Sequence, residues 1–364
     1  MKKLIAMILL LTTLVLAVGC KKEKYPAIES TEEEARVMMS FSIGGEKYDM
    51  KYELYRALFL NFASQYDKGD KSFWEKEESK DALDELNAKI LEYALDIFAV
   101  LHVSKSIGFD PYSDEAEEII ADYIEKSVEG DGDTVIGFDG DYDAYLDSLK
   151  AANMNYSVQK LLLRYSVAYD KILMHYQGTS NENNPSENKD AAFSFTSEDV
   201  YAFYNSDDAV RVSTVVINAS YRSYADTQKI RDAIASASTT DEALKTALER
   251  TTSIESEIIN GVVIGTHTLD KAYYSEVTSA AFSLGLNETS EIITVFSDEG
   301  EEYWILYKQD KNEEHFEKCY NDMASVFISQ TIGAKLEGVK DTLRASLYES
   351  SAYKTLKHSE ISMK

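Results

Sequence analysis

Histidine and acidic side chains are the residues of this chain that could most readily bind a metal ion or transfer a proton. No two of the five histidines form the H-x-x-x-H pair of a zinc site. Aspartates cluster at 131–143, but an EF-hand counted from Asp139 would need glycine at Ala144 and glutamate at Lys150. No GxSxG, HExxH or phosphate-cradling GxxxxGK[ST] motif occurs. We therefore expect no cofactor, no metal centre and no hydrolytic site, and interpret 131–143 as an acidic loop, with adventitious calcium as the alternative.

The N-terminus carries the most specific signal. Met1–Lys3 is positively charged, Leu4–Val18 is a short apolar and threonine-containing run, and small residues precede Cys20. Such a run is typical of an export signal and is short for a membrane span. The segment resembles the lipobox of bacterial lipoproteins. This resemblance implies cleavage after residue 19, a lipid on the sulfur of Cys20, and an extracytoplasmic protein held at the cytoplasmic membrane, or on the periplasmic or outer-membrane side in a diderm host. A plain signal peptide with a chance cysteine is the alternative.

Charge and cysteine content narrow the class of function. The formal net charge is −27 over 364 residues, and such a field repels nucleic acid, so we expect no nucleic-acid partner. Apart from Cys20 the only cysteine is Cys319. We therefore predict no disulfide within the chain and interpret Cys319 as a small packing residue on a helix.

Helical spacing of apolar residues dominates the first half of the chain. A polar tether over 20–36 and a hairpin over 37–48, turned at Gly44-Gly45, precede five predicted helices. These helices are predicted at 49–65, 81–107, 114–128, 142–152 and 156–176. A linker poor in apolar residues, at 177–190, follows them.

The second half mixes short helices with β-type runs. We predict a short helix that starts within 196–199 and runs through Asn205, with Ser197 as its N-cap. Helices at 225–238 and 240–251, a loop at 260–265 and a helix at 273–282 are predicted to follow. Glu291–Phe296 and Tyr303–Tyr307 alternate like strands and are joined by a turn. One or two amphipathic helices are predicted over 312–348.

Two stretches resemble a parvulin-type peptidyl-prolyl isomerase domain. Thr196–Ile217 (TSEDVYAFYNSDDAVRVSTVVI) is similar to the start of that domain, and Ala280–Lys308 is similar to its C-terminal half. The family holds proline in an apolar pocket beside two histidines on neighbouring strands. In this frame Thr214 replaces the first histidine and Trp304 the second. The resemblance therefore implies no catalytic residue here. The candidates for a degenerate peptide-binding pocket are Thr214, Tyr273, Val277, Phe282, Leu284 and Trp304.

The region around Gly44–Phe59 resembles the opening of a SurA-like N-terminal domain. Together the motifs resemble PrsA- and SurA-like lipoproteins, which implies an α+β chain: a mostly helical chaperone lobe, completed by a C-terminal helix, with an inserted parvulin-like small antiparallel sheet flanked by helices. The implied order is a signal peptide at 1–19, a lipidated cysteine and tether at 20–36, a SurA-like helical domain at 37–176, a linker at 177–195, a parvulin-like domain at 196–311 and a C-terminal helix at 312–364.

The function favoured by these features is that of a membrane-anchored extracytoplasmic chaperone or foldase. Its partners would be unfolded or newly exported polypeptides, and its parvulin-like domain would have low or no isomerase activity. An active isomerase with a rearranged pocket is one alternative. A non-enzymatic surface lipoprotein that binds a glycan or a protein partner is the other.

Overall fold

The structure, a computed structural model, describes residues 24–132, 135–178, 191–250, 255–267, 275–297 and 300–363. The chain divides into two compact units. Unit 1 combines the residues up to Leu173 with Lys335–Lys364, and unit 2 is Met174–Ala334. Unit 1 is thus built from both ends of the chain. Within the described ranges, no helix is long and apolar enough to cross a membrane, and Cys20 lies outside them.

Unit 1 is mainly helical and contains one small antiparallel sheet. Its strands are β1 (Val37–Ile43), β2 (Glu46–Lys51) and β7 (Tyr348–Glu349), in the order β2-β1-β7. Its main helices are α1 (Tyr52–Asp67), α2 (Lys80–Ser106), α3 (Asp114–Glu129), α4 (Tyr142–Ala151) and α5 (Tyr156–Gln177), whose last residues belong to unit 2. Near the C-terminus lies the short α13 (Ser351–Lys354).

The hairpin and the five helices predicted for this region are present, with one shifted boundary. Asp49–Lys51 pair with β1 as part of β2, so the following helix begins at Tyr52 instead of Asp49. Gly44 and Gly45 adopt φ of +59° and +85° in the turn between β1 and β2, a region that glycine enters without strain. Ser113 caps α3, because its side chain accepts a hydrogen bond from the amide of Ala116.

Unit 2 is built around a four-stranded antiparallel sheet in the order β4-β3-β6-β5. The strands are β3 (Ala209–Asn218), β4 (Val262–Gly265), β5 (Ile293–Ser297) and β6 (Gly300–Lys308). The helices are α6 (Ser197–Asn205), α7 (Tyr224–Ala235), α8 (Thr240–Arg250), α9 (Glu255–Ile259), α10 (Ser275–Ser283), α11 (Glu313–Lys318) and α12 (Tyr320–Ala345). The last part of α12, from Lys335 to Ala345, belongs to unit 1.

Two local predictions for unit 2 are wrong. Residues 260–265 were expected to form a loop, but Val262–Gly265 pair with Val212–Ala209 at one side of β3 and form β4. Ser197 was expected to cap α6, but Thr196 is the cap. The Thr196 side chain accepts from the amide of Asp199 while the Asp199 carboxylate accepts from the amide of Thr196. This reciprocal pair satisfies two amides that the helix start leaves free.

The mostly helical α+β architecture predicted from the sequence is confirmed by these elements. The predicted tether differs in one respect. Its described part, Lys24–Arg36, is attached to the rest of unit 1 by side-chain hydrogen bonds: Ser30 donates to Glu53, and Arg56 donates to Glu34.

Candidate functional site

The sheet of unit 2 has two differently covered faces. On one face, Val215, Ile217 and Ile305 pack with residues of α7, α8 and α9. On the other face, the apolar side chains of β3 and β6 pack against α10. Because alternate residues of a strand point to opposite faces, even-numbered residues of β3 share the α10 face.

Thr214 and Trp304 lie on neighbouring strands and on the same face of the sheet. In the register of β3 with β6, Thr214 is opposite Leu306 and Val216 is opposite Trp304. Residues that face each other across an antiparallel pair share a face, and diagonal neighbours lie within reach of large side chains. Thr214 and Trp304 are therefore diagonal neighbours on adjacent strands, two register steps apart.

Thr214 is enclosed and held by one hydrogen bond. It is 1% exposed, and its hydroxyl donates to the Glu257 carboxylate of α9 at 3.1 Å. The neighbouring Ser213 points to the other face, where its hydroxyl donates to the carbonyl of Ile258 at 2.6 Å. Both hydroxyls thus attach β3 to α9. A threonine hydroxyl does not titrate near neutral pH, so this position supplies no proton-transfer group.

Trp304 occupies the space between the sheet and α10. Its ring packs in one cluster with Val277 and Ala281 of α10 and with Leu284. Val216 and Ile293 are its partners on the two adjacent strands. The indole Nε1 donates to the Glu302 carboxylate at 3.0 Å. Since the side chain is only 9% exposed and an indole has no acceptor nitrogen, the ring acts here as a packing group.

The remaining pocket candidates have structural environments of the same kind. Val277 is fully buried and Leu284 is 8% exposed, while Phe282 is half-buried at the edge of the same cluster. The structure thus brings Thr214, Val277, Phe282, Leu284 and Trp304 to one face of the sheet. Tyr273 lies outside the described residues.

All five histidines fall within the described residues, and the contacts described for them are with residues other than Thr214 and Trp304. His102 and His358 belong to unit 1, where they approach the hydroxyls of Tyr48 and Tyr55. His175 stacks edge-on against Tyr176. The backbone amide of His267 donates to the Gln330 side chain. His315 lies next to Tyr204.

The Tyr204–His315 pair is a buried polar contact that sequence reasoning missed. Nδ1 of His315 lies 3.0 Å from the Tyr204 hydroxyl, and His315 is 4% exposed. Burial, together with the nearby Arg211 guanidinium, lowers the pKa of His315 to about 4. The ring is therefore neutral at physiological pH and joins α6 to α11. The two residues are 111 positions apart, so no local pattern connects them.

An exposed aromatic group lies at one end of the same sheet and was also missed. Phe296 on β5 is 73% exposed, and Tyr221 and Tyr224 are 86% and 50% exposed. The Tyr224 ring packs edge-on against Tyr303, whose strand β6 pairs with β5. β5 is the end strand of its sheet.

The backbone of β5 offers hydrogen-bonding groups on its outer side. The amides of Lys308 and Ser290 bond to the carbonyls of Glu288 and Leu306, so even-numbered residues of β6 direct their backbone groups toward β5. The even-numbered residues Trp304 and Glu302 of β6 pair with Ile293 and Val295 of β5. Since bonding alternates along a strand, Thr294 and Phe296 direct their backbone groups away from β6. Such an edge can accept an additional strand.

Two cavities are lined by described residues of unit 1. One, of about 350 Å³, is lined by charged residues such as Glu46 and Lys105 over apolar residues such as Phe98. The other, of about 260 Å³, lies near Arg36 and Tyr52. Among the described residues, no three or more histidine, cysteine or acidic side chains are grouped so that they could hold a metal ion.

No family model and no curated protein matches the chain. Solved structures of foldases do match. Foldase protein PrsA from Streptococcus pneumoniae is 14% identical over 86% of this chain and 96% of its own, with a TM-score of 0.25. PrsA from Lactococcus lactis is 12% identical over 87% and 96%, with a TM-score of 0.23. PrsA from Bacillus subtilis is 15% identical over 90% and 99%, with a TM-score of 0.22. Likeness of this degree leaves the site to be argued from the chain's own side chains.

Proposed function

We propose that the protein is a membrane-anchored extracytoplasmic chaperone that holds exported polypeptides, and that its parvulin-like sheet has low or no isomerase activity. The observation that carries the second part is the α10 face of the sheet, where Thr214 and Trp304 lie together without an imidazole. Membrane anchoring rests on the lipobox-like sequence that ends at Cys20.

Proline isomerisation requires rotation about an amide with a barrier of about 18–20 kcal/mol. Lowering this barrier calls for an open apolar pocket and polar groups placed on the amide. Here the indole of Trp304 fills the space between strand and helix, and its nitrogen is already bonded to Glu302. The Thr214 hydroxyl is bonded to Glu257. Both replacements leave this face packed instead of open.

Client holding is supported by the exposed end of the sheet. Soluble proteins rarely expose grouped aromatic side chains next to an open strand edge unless they bind a partner. Phe296, Tyr221 and Tyr224 offer apolar area, and the outer side of β5 offers backbone donors and acceptors. An unfolded client has both unburied apolar side chains and unpaired backbone groups. Transient pairing at this edge would shield such a segment from aggregation.

Aggregation of a chemically unfolded secreted protein tests the chaperone function. The mature chain without its signal peptide should suppress light scattering at equimolar or several-fold excess concentration. A double variant, Phe296→Ser with Tyr221→Ser, should suppress it several-fold less well. Ile136→Ser in unit 1, which changes a side chain that is 99% exposed, is the matched control and should behave like the parent chain. Absence of suppression by the parent chain at several-fold excess would refute the proposal.

A separate assay of cis–trans exchange in a proline peptide tests the catalytic part. We expect a rate close to the uncatalysed one. Efficient turnover would favour the active-isomerase alternative and would leave the chaperone assay to be judged independently.

A further inference from the structure

The segment that follows the anchor cysteine is fixed to unit 1 almost from its start. The Tyr25 ring stacks on Tyr142 with centroids 5.0 Å apart, and its hydroxyl donates to the Glu129 carboxylate at 2.7 Å. The Tyr142 hydroxyl donates to the carbonyl of Pro26 at 2.8 Å. Lys24 forms an ion pair with the same Glu129. These contacts attach the segment to the end of α3 and the start of α4.

Further contacts hold the segment along the rest of its length. The Ser30 hydroxyl donates to Glu53 at 2.5 Å. The Glu34 carboxylate accepts from Arg56 at 2.7 Å, and Arg56 is only 7% exposed. The residues from Lys24 to Arg36 therefore do not act as a long free spacer.

The remaining link between the anchor and the lobe is short. Four residue steps separate Cys20 from Lys24, and an extended chain spans at most about 3.3–3.6 Å per residue, which gives about 14 Å. Tyr25 is one residue further along, so a lipid on Cys20 would keep its backbone within about 18 Å of the bilayer surface.

A fully exposed aliphatic side chain lies in the loop that connects α3 to α4, beside the Tyr25–Tyr142 contact. Ile136 is 99% exposed, although isoleucine is among the residues most often buried. The loop is closed at its base: the amide of Phe138 donates to the carbonyl of Val128 at 2.7 Å. A Cβ built on Gly137 would lie 2.0 Å from the backbone nitrogen of Gly130. The loop also approaches the docked segment, because Gly140 faces the Tyr25 hydroxyl.

We propose that this end of unit 1 is a membrane-contact face, formed by Tyr25, Ile136 and Tyr142, with Ile136 inserted at the bilayer interface. The inference rests on the lipid anchor of the proposed function. Tyrosine is enriched at the membrane–water boundary. One isoleucine alone would bind lipid weakly, but the anchor makes the contact intramolecular and so raises the effective lipid concentration.

The charges around the loop set the character of this contact. Glu129, Asp139, Asp141 and Asp143 lie in or beside it, and they oppose an anionic lipid surface. The contact is therefore apolar in origin. Its strength should rise with ionic strength as the repulsion is screened, opposite to the behaviour of a basic membrane-binding segment.

Depth-dependent fluorescence quenching tests this face. The lipidated chain, carrying Cys319→Ser and Ile136→Cys, is labelled at position 136 with an environment-sensitive dye and placed in phosphatidylcholine–phosphatidylglycerol vesicles that contain a lipid-borne quencher. We expect several-fold quenching and a blue shift, both greater at high salt. Tyr25→Ala with Tyr142→Ala, which releases only the first residues of the docked segment and so lengthens the link to the anchor, should lose most of the quenching.

The outcomes separate the contact from the anchor. A Cys20→Ala chain that remains in the membrane fraction contradicts the lipid anchor itself. An unquenched label on a protein that is still vesicle-bound overturns the membrane-contact face and leaves the anchor intact. Equal quenching after both tyrosines are changed also overturns it, because the docked segment then does not set the orientation. Circular dichroism of each variant checks that the chain remains folded.

Discussion

Trp304 shows how one side chain can change what a sheet face is able to do. The residue pairs with Val216 and Ile293 on the two adjacent strands, and its ring packs against Val277 of α10. A histidine at this position could exchange a proton or a hydrogen bond with a bound peptide, whereas the indole offers one donor, which Glu302 already accepts. The residue therefore contributes mainly to the stability of unit 2.

Replacing Trp304 by alanine should destabilise unit 2 by about 3–5 kcal/mol, because it removes a large buried ring and leaves a cavity. Proline-isomerase activity should stay at the background rate, since the cavity brings no polar group to the peptide. Urea denaturation and a proline-peptide assay measure the two effects. Phe296→Ala, at a side chain that is 73% exposed, is the control and should cost less than about 0.5 kcal/mol. An accelerated rate in Trp304→Ala would contradict this assignment.

His315 makes the stability of unit 2 depend on pH. The pKa of an unfolded-chain histidine is about 6.5, and burial and Arg211 lower the pKa of His315 to about 4. Between these values the unfolded chain binds the proton and the folded chain does not. The free energy of unfolding should therefore decrease as the pH falls from about 6.5 to about 4, by at most about 3 kcal/mol.

The variant His315→Gln keeps a polar side chain beside Tyr204 but does not titrate. The difference in unfolding free energy between the parent and this variant should therefore shrink as the pH falls through that range. Urea denaturation at several pH values measures it. Parallel pH profiles for the two proteins would show that His315 is not the titrating group.

How far the site could be predicted depends on whether its parts lie in local patterns. Thr214 and Trp304 each sit in a strand with alternating residues, so a family frame could place both on one sheet. The contact of Tyr204 with His315 depends on chain folding between positions 111 apart, which no periodicity reveals. The exposure of Tyr221 and Phe296 was missed because their residue types favour burial.

At the scale of elements, the short segments were the hardest to predict. β4 has only four residues, Val262–Gly265, and it becomes a strand because β3 supplies its backbone partners. α9 has five residues and is held by two hydrogen bonds from β3: Ser213 donates to the Ile258 carbonyl and Thr214 to the Glu257 carboxylate. Long amphipathic helices such as α2 were predicted to within one residue at each end, because their apolar spacing repeats over many turns.

The outer edge of β5 provides a test of strand pairing with clients. Thr294 directs its backbone amide away from β6, so Thr294→Pro removes an outward donor while keeping the bonds within the sheet. Protection of an aggregating client should fall several-fold, measured by light scattering. Val295→Pro is the contrasting variant. It removes a donor that faces β6, so unit 2 itself should be destabilised. Full protection by a folded Thr294→Pro chain would show that clients do not pair with this edge.

At the scale of the whole molecule, both ends of the chain build unit 1. β7 pairs with β1, with Tyr348 opposite Ser40, and the Ser350 amide donates to the carbonyl of Met38 at 3.0 Å. Lys340 and Arg344 of α12 form ion pairs with Asp96 and Glu92 of α2. Unit 2 is thus inserted into a unit whose two parts are far apart in sequence. Removing the end of the chain should consequently affect unit 1 and spare unit 2.

A chain that ends at Ala334 should lose the cooperative unfolding of unit 1. The deletion removes Leu343 and Ile361, which are 0% and 1% exposed, and it removes β7, one of the two strand partners of β1. It also leaves Tyr55, which is fully buried, without its 2.9 Å contact to Nε2 of His358. Each large buried aliphatic side chain contributes about 2–3 kcal/mol, and the whole stability of a domain is about 5–15 kcal/mol. The sheet of unit 2 keeps all its strands, so its unfolding transition should persist.

Calorimetry and limited proteolysis measure the two transitions. A chain that ends at Ile361, which keeps these contacts, is the control and should unfold like the parent. Retention of both transitions by the shorter chain would show that unit 1 does not depend on the C-terminal segment.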